Sequence, residues 1–350
     1  MEKTQNKRKI LVICNLNGSK CNGQIAKTLD TINFLKQNGY DVSVYNYRQT
    51  NYFINYFRSI KAIKRHENFV LMPGGKRALF LYSKLLRKFN KKNCHYVAIG
   101  GWVLNLLLSN KYKKEFEVLK LFKGIYLQNK KSVEEFKNYG FKNVYYVSNF
   151  SSKKPISTEI FNKQLEKFDQ NNSYNFCFFA RVERTKGILL ACGAIRDIQK
   201  DYPDKKILLD IYGQINDCQL KKELIKITNE NQNIRLSGVL NDENAIETLS
   251  NYYCMIFPTF YKGEGTPHSI IESYMAGLPV IASNWAYNSE LVTKDTGLLF
   301  DLGSNDLHQK IQWAIQNKSN VREMRINCFN ISKQFDSNTL LSVLIKNLDA

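Results

Sequence analysis

Residues 257–283 read FPTFYKGEGTPHSIIESYMAGLPVIAS, and the punctuation of this stretch decides the fold. Thr266 suits an N-cap and Pro267 the first helical position, where a missing N–H costs nothing, so a helix is expected to start there. Gly277 and Pro279 end it. Tyr253 to Phe257 ahead of it and Leu278 to Ala282 behind it are apolar runs of strand length. The result is a strand, loop, helix, strand unit of a parallel α/β sheet.

Two acids stand on this unit, Glu264 in the glycine-flanked loop Gly263-Glu264-Gly265 and Glu272 in the second turn of the helix. Taken alone, they are as consistent with solvated surface carboxylates as with a site. Their placement at the carboxyl end of a strand is where open α/β sheets bind ligands. A helix start facing that crevice presents free N–H groups and a partial positive charge, which suit phosphate. Ionised carboxylates only accept hydrogen bonds and therefore suit hydroxyl groups. Phosphates in the middle with hydroxyls at both ends describe a nucleotide-sugar.

The spacing of Glu264 and Glu272 resembles the E-x7-E motif of the retaining glycosyltransferases of family four, which have the GT-B fold of two Rossmann-like domains facing a cleft. The continuation ESYMAGLPVIAS is similar to that family's stretch after its second Glu. YKGEGTP, with Trp285 and Asn288-Ser289-Glu290 downstream, looks most like its capsule and exopolysaccharide members. Upstream, Arg181-Val182-Glu183-Arg184-Thr185-Lys186-Gly187 resembles the family's Arg and Lys-Gly pair. The chain departs from the pattern at Pro267, where many members have glycine, and at Thr266, which replaces a common aromatic. Many members also carry a histidine near the position of Gly100; His95 is read as preceding the strand, so no catalytic His is carried over.

A chain of 350 residues, 43% of them hydrophobic, is long enough for two cored domains. Residues 1–170 hold 32 Lys/Arg against 11 Asp/Glu, whereas residues 171–350 hold 19 against 20, so the whole net charge of +20 comes from the first half. That asymmetry implies a basic face for polyanions or an anionic membrane surface. Eight Cys without a C-x-x-C pair and four scattered His point to reduced thiols and to neither a disulfide framework nor a zinc site. No D-x-D occurs, so neither metal nor cofactor is expected. The N-terminus lacks a signal-peptide apolar region, and the longest greasy segment, Tyr96 to Leu108, is too short to span a bilayer. The expected localisation is cytoplasmic, with peripheral attachment to the membrane as one option.

In chain order, Ile10 to Cys14 reads as a strand that leads through a Gly18 and Gly23 loop into a helix. Gly23, grouped with the nucleotide-sugar contacts, belongs to a loop that either brings backbone close to the bound diphosphate or acceptor or is simply a β-to-α turn. Strands follow at Asp41 to Tyr45, Phe69 to Met72, Tyr96 to Ile99, Ile125 to Gln128 and Val144 to Val147. Helices at Asn51 to Arg65 and Leu79 to Lys92 interleave aromatic with basic residues; such a stripe either lies at a membrane interface or packs on the sheet. The expected domains are 1–150, basic and acceptor-binding; 151–172, a polar linker; 173–335, nucleotide-sugar-binding; and 336–350, a helix returning to the first domain.

The resemblance implies a metal-independent transfer of a sugar, with retention, from a nucleoside diphosphate, UDP being the expected one, to a glycan or polyprenyl-linked acceptor in surface polysaccharide synthesis. Arg181 and Lys186 would neutralise the departing diphosphate, with Glu264 on the donor sugar, or as a nucleophile, and Glu272 on the ribose. Gly238 and Val239 would meet the base, and Gly265, Thr266 and Ser269 the donor, while His268 is either a donor-sugar contact or an exposed first-turn residue. Nucleic acid is not an expected partner. Two other classes fit parts of the pattern: a two-Rossmann nucleotide-sugar isomerase or epimerase, and a non-catalytic polyanion binder.

Overall fold

The computed structural model describes residues 8–17, 23–48, 52–151, 153–241, 243–303 and 305–350. The chain divides into two compact units, Met1–Ser152 with Phe335–Ala350, and Lys153–Gln334. The first carries β1 (Lys9–Cys14), α1 (Gly23–Gln37), β2 (Asp41–Asn46), α2 (Tyr52–Lys64), β3 (Asn68–Met72), α3 (Lys76–Lys88), β4 (Asn93–Val97), α4 (Trp102–Leu108), α5 (Lys113–Leu119), β5 (Gly124–Leu127), α6 (Lys130–Asn138) and β6 (Val144–Tyr146). The second carries α7 (Thr158–Gln170), β7 (Tyr174–Phe179), α8 (Ile188–Asp201), β8 (Ile207–Tyr212), α9 (Cys218–Glu230), β9 (Ile234–Gly238), α10 (Ala245–Ser250), β10 (Cys254–Phe257), α11 (His268–Met275), β11 (Val280–Ser283), β12 (Gly297–Phe300), α12 (Asp306–Gln316) and α13 (Lys318–Ser332). A last helix, α14 (Ser337–Asp349), belongs to the first unit.

Each unit holds a six-stranded sheet, ordered β2-β1-β3-β4-β5-β6 in the first and β12-β11-β10-β7-β8-β9 in the second. Every pairing is parallel. Parallel strands buried on both faces read as continuous apolar runs, and KILVIC and CMIF do so here. In the second sheet the order reverses between β7 and β10, which makes the carboxyl ends of these two strands the switch point where a crevice opens.

Residues 151–172 are not a plain linker: α7 forms there, capped by Ser157, whose Oγ accepts from the Ile160 amide, with Phe161 and Phe168 buried on it. α4 and α5 fill the segment after β4, where no helix is expected from the sequence. His95 lies inside β4 and not before it, fully buried, with Nδ1 3.0 Å from the Tyr126 hydroxyl. Burial lowers its pKa to about 4, which makes it a neutral core residue. Residues 18–22, which carry most of the first glycine loop, lie outside the described residues.

α14 packs on α1 through Leu341, Leu344 and Leu348, all buried in the core of the first unit. Asp349 accepts from the Tyr40 hydroxyl at 2.5 Å and from Arg8 at 2.9 Å. The two basic helices differ. α3 buries Leu79, Phe80, Tyr82, Leu85 and Leu86, whereas α2 turns Asn55, Ser59 and Ile63 inward and leaves Ile54 and Phe57 exposed beside Arg58, Lys61 and Lys64. No helix of the described residues is long and apolar enough to cross a membrane.

Candidate active site

Arg181 and Lys186 come from the turn after β7, and Glu264 from the loop after β10, so the switch point brings them to one place. Arg184–Lys186 forms a single 3-10 turn that ends on Gly187 at φ 77°, the left-handed region glycine tolerates. A Cβ at Gly187 would collide with the Pro258 carbonyl, so the β7 turn lies directly against the β10 loop. The Phe260 amide donates to the Thr185 carbonyl at 2.8 Å and fastens the two loops.

Within that frame, Lys186 Nζ donates to Glu264 Oε2 at 2.5 Å, and the Thr259 hydroxyl donates to the same oxygen at 2.9 Å. The ring of Tyr261 lies 5.1 Å from Lys186 Nζ and 5.9 Å from the Arg181 guanidinium, so both cations flank one aromatic ring. Arg181 is more open, paired with Glu183 at 2.6 Å. The Trp285 indole N–H donates to the Tyr261 carbonyl at 2.9 Å, and Ser283 Oγ donates to the Thr259 carbonyl, holding the loop from behind.

The helix start differs in detail from expectation. α11 begins at His268, with Pro267 as its N-cap at ψ 126°, and Thr266, which the sequence suggests as the cap, is buried one residue earlier. Pro267 itself takes an extended ψ, which its fixed φ of −65° permits, so the helix begins one residue later. Pro267, the N-cap residue, makes no side-chain cap bond of its own. The first-turn amides of α11, including that of Ser269, lack intrahelical acceptors and directly follow the Glu264 loop in the chain. Gly265 is buried in the same loop.

Glu272, 4% exposed, is met by a residue that sequence reasoning passes over. Lys153 Nζ lies 2.8 Å from Glu272 Oε1, and His268 Nε2 lies 3.5 Å from the same oxygen. His268 is thus neither a plain surface residue nor free of the site. Gly238 ends β9 at φ 78°, and Val239 beyond it is 55% exposed, an apolar surface at the carboxyl edge of the sheet. Beneath it Arg235 forms two bonds to Asp210 at 2.6 and 2.9 Å, and the Tyr252 hydroxyl donates to Asp210 at 2.7 Å. Gly23 lies on the other unit, exposed at the start of α1. Thr259, Tyr261 and Lys153 are not singled out by sequence reasoning; the first two lie within the stretch that decides the fold, and Lys153 carries no local signal.

The family described as "Glycosyl transferases group 1" matches residues 159–331. The capsular polysaccharide biosynthesis glycosyltransferase CapH of Staphylococcus aureus is 26% identical over 212 residues, 56% of this chain and 56% of that protein. An uncharacterized glycosyltransferase of Methanocaldococcus jannaschii is 25% identical over 248 residues, 70% of this chain and 55% of that one. The chain thus spans about half the length of the curated relatives it matches. Among solved structures, HepE of Anabaena in complex with UDP superposes with a TM-score of 0.72 at 15% identity, covering 97% of this chain and 99% of that one. A mutant of TarM of S. aureus, bound to UDP among other ligands, gives 0.61 at 16% identity over 85% of this chain and 59% of that one. These are likenesses of fold, and the fold is GT-B.

Proposed function

The chain belongs to the group 1 glycosyltransferases, a retaining family of GT-B fold, and on that premise we propose that it transfers a hexose from a UDP-sugar to a glycan or polyprenyl-linked acceptor. The observation that carries this reading is the buried Lys186–Glu264 pair flanked by Arg181 across Tyr261, in the loop that leads into α11. It supplies two fixed cations and a set of amides where a diphosphate leaves, and an acceptor-only carboxylate beside them for sugar hydroxyls. CapH, similar at low identity, makes a surface polysaccharide the expected product.

In the proposed mechanism, Arg181, Lys186 and the amides of His268 and Ser269 neutralise charge as it builds on the departing UDP. Lys186 has three donors and keeps Glu264 while it meets phosphate. Glu272, held by Lys153, accepts from the ribose hydroxyls, and Val239 with the Gly238 main chain lies against the base. Glu264 orients the donor sugar, and the acceptor hydroxyl attacks the face that the diphosphate leaves. The acceptor hydroxyl's proton passes to the departing phosphate as the new bond forms. The exposed Ile54 and Phe57 of α2, beside its cations, favour approach to an anionic membrane carrying a lipid-linked acceptor.

A thermal-shift panel of UDP, GDP and UDP-sugars on the purified chain tests this. A ligand that binds only the folded state raises the melting temperature by mass action. UDP and at least one UDP-sugar are expected to do so. Stabilisation by none of the nucleotides would end the donor assignment.

A further inference from the structure

A cavity of about 240 Å³ lies in the second unit at the amino ends of β7 and β10, lined by residues of α7, of the turn before β10 and of α13. Arg181, Lys186 and Glu264 follow the carboxyl ends of the same two strands. The six residues of β7, at about 3.3 Å each, separate the cavity from them by roughly 20 Å. It is therefore no part of the site described above.

Arg325 of α13 lines this cavity with only 1% of its surface exposed. Two of its N–H groups donate to the carbonyls of Tyr252 and Ser250 at 2.6 and 2.8 Å, and its guanidinium lies 5.2 Å from the Phe168 ring. These contacts fix the side chain but leave its charge without a carboxylate among the described residues. Its buried Nε has no acceptor there. The surroundings add positive charge: Lys167 lines the cavity and is exposed, Lys318 Nζ lies 5.5 Å from the Phe168 ring, and Asp169 is held by Arg322. A buried cation in such a setting calls for an anion.

Asn175 supplies the other half of the chemistry. It lines the cavity too, and its buried Oδ1 has no donor among the described residues. A carboxylate only accepts hydrogen bonds, so the anion that suits Arg325 does not serve this oxygen, whereas a hydroxyl on the same ligand does. Phe168 and Tyr253 give the cavity an apolar wall against which a ring can pack. At about 30 Å³ per water the space equals roughly eight waters, more than a lone phosphate fills.

We propose that this cavity binds a hydroxyl-bearing oxyanion of monosaccharide size, an acidic sugar or a sugar phosphate, apart from the Lys186–Glu264 site. Arg325 meets the carboxylate or phosphate, and Asn175 accepts from a hydroxyl of the ring. Every group in this assignment belongs to the cavity itself, so it stands independently of the transferase reading.

The test is calorimetric titration of the full chain, with and without excess UDP, using glucuronate, glucose 1-phosphate, glucose and inorganic phosphate. Wild type is expected to bind glucuronate or glucose 1-phosphate with UDP present, and the arm that binds identifies the anion. Glucose and inorganic phosphate should bind at least about tenfold more weakly, the effect of one charge-assisted hydrogen bond. Asn175→Leu should fold as stably as wild type without probe, because its Oδ1 has no partner to lose, and should bind the same probe about tenfold more weakly. Arg325→Gln should abolish binding. A thermal melt checks that it folds, and if it does not, Asn175→Leu and the comparison of charged with neutral probes decide. Binding of neither anionic sugar, equal binding of glucose, or unchanged affinity in Asn175→Leu would each overturn the proposal. Inorganic phosphate bound as tightly as the sugars would overturn it in favour of an adventitious ion only, and binding seen only without UDP would place the probe at the nucleotide site instead. Failure of wild type to bind UDP strikes the transferase reading alone.

Discussion

Lys186 Nζ and Glu264 Oε2 lie 2.5 Å apart with side chains 9% and 8% exposed, so neither charge can be removed without stranding the other. Breaking a buried pair from one side typically costs about 3–5 kcal/mol. Lys186→Ala is expected to lower stability by that order in urea unfolding and to lose UDP affinity, because the cation itself is gone. Glu264→Gln keeps shape and frees Lys186 for phosphate. It should retain UDP binding while turnover falls about 10²–10³-fold. Wild-type affinity for UDP in Lys186→Ala would refute the role given to this pair.

Lys153 fixes Glu272 Oε1 at 2.8 Å, and under the ribose assignment the two are expected to act as one unit. Lys153→Met and Glu272→Ala should each weaken UDP by about tenfold, an effect the size of one charge-assisted bond. The double variant should be no worse than either alone, as expected for residues that share one interaction. Additive losses measured by isothermal titration would show that Lys153 acts elsewhere.

The reasons for what could and could not be read in advance are physical. Sheet strands such as KILVIC and CMIF are buried on both faces, and that requirement writes itself into consecutive apolar residues. Arg181, Lys186 and Glu264 are legible because each follows a strand end, a local feature. The Lys153–Glu272 contact joins residues far apart in the chain and leaves no local trace. α7 is hidden because its surface is polar and only Phe161, Gln164 and Phe168 are buried. The α11 boundary shifts because Pro267 takes an extended ψ, which a fixed φ of −65° permits as readily as a helical one.

α2 leaves Phe57 69% exposed and Ile54 44% exposed, with Arg58, Lys61 and Lys64 also exposed. Wild type should float with phosphatidylglycerol vesicles at low salt and not with phosphatidylcholine. Each cation near such a surface contributes about 1 kcal/mol. Phe57→Asp should abolish flotation, and Lys61→Gln should weaken it about fivefold. Flotation unchanged in Phe57→Asp would place the membrane contact elsewhere or deny it.

Lys27 of α1, 1% exposed and with no hydrogen-bond acceptor for its Nζ among the described residues, makes a prediction about pH. Its folded-state pKa is about 7 against an ordinary 10.5, so between those values the unfolded chain holds a proton that the folded chain does not. Stability contributed at this position therefore rises with pH across that window and falls as pH drops towards 7. Tyrosines and other lysines titrate nearby, so the informative quantity is a difference. Lys27→Met should be more stable than wild type at pH 7, and the gap should narrow steadily up to pH 10 in urea unfolding without ligand. A gap independent of pH would mean that Lys27 keeps its proton in the fold.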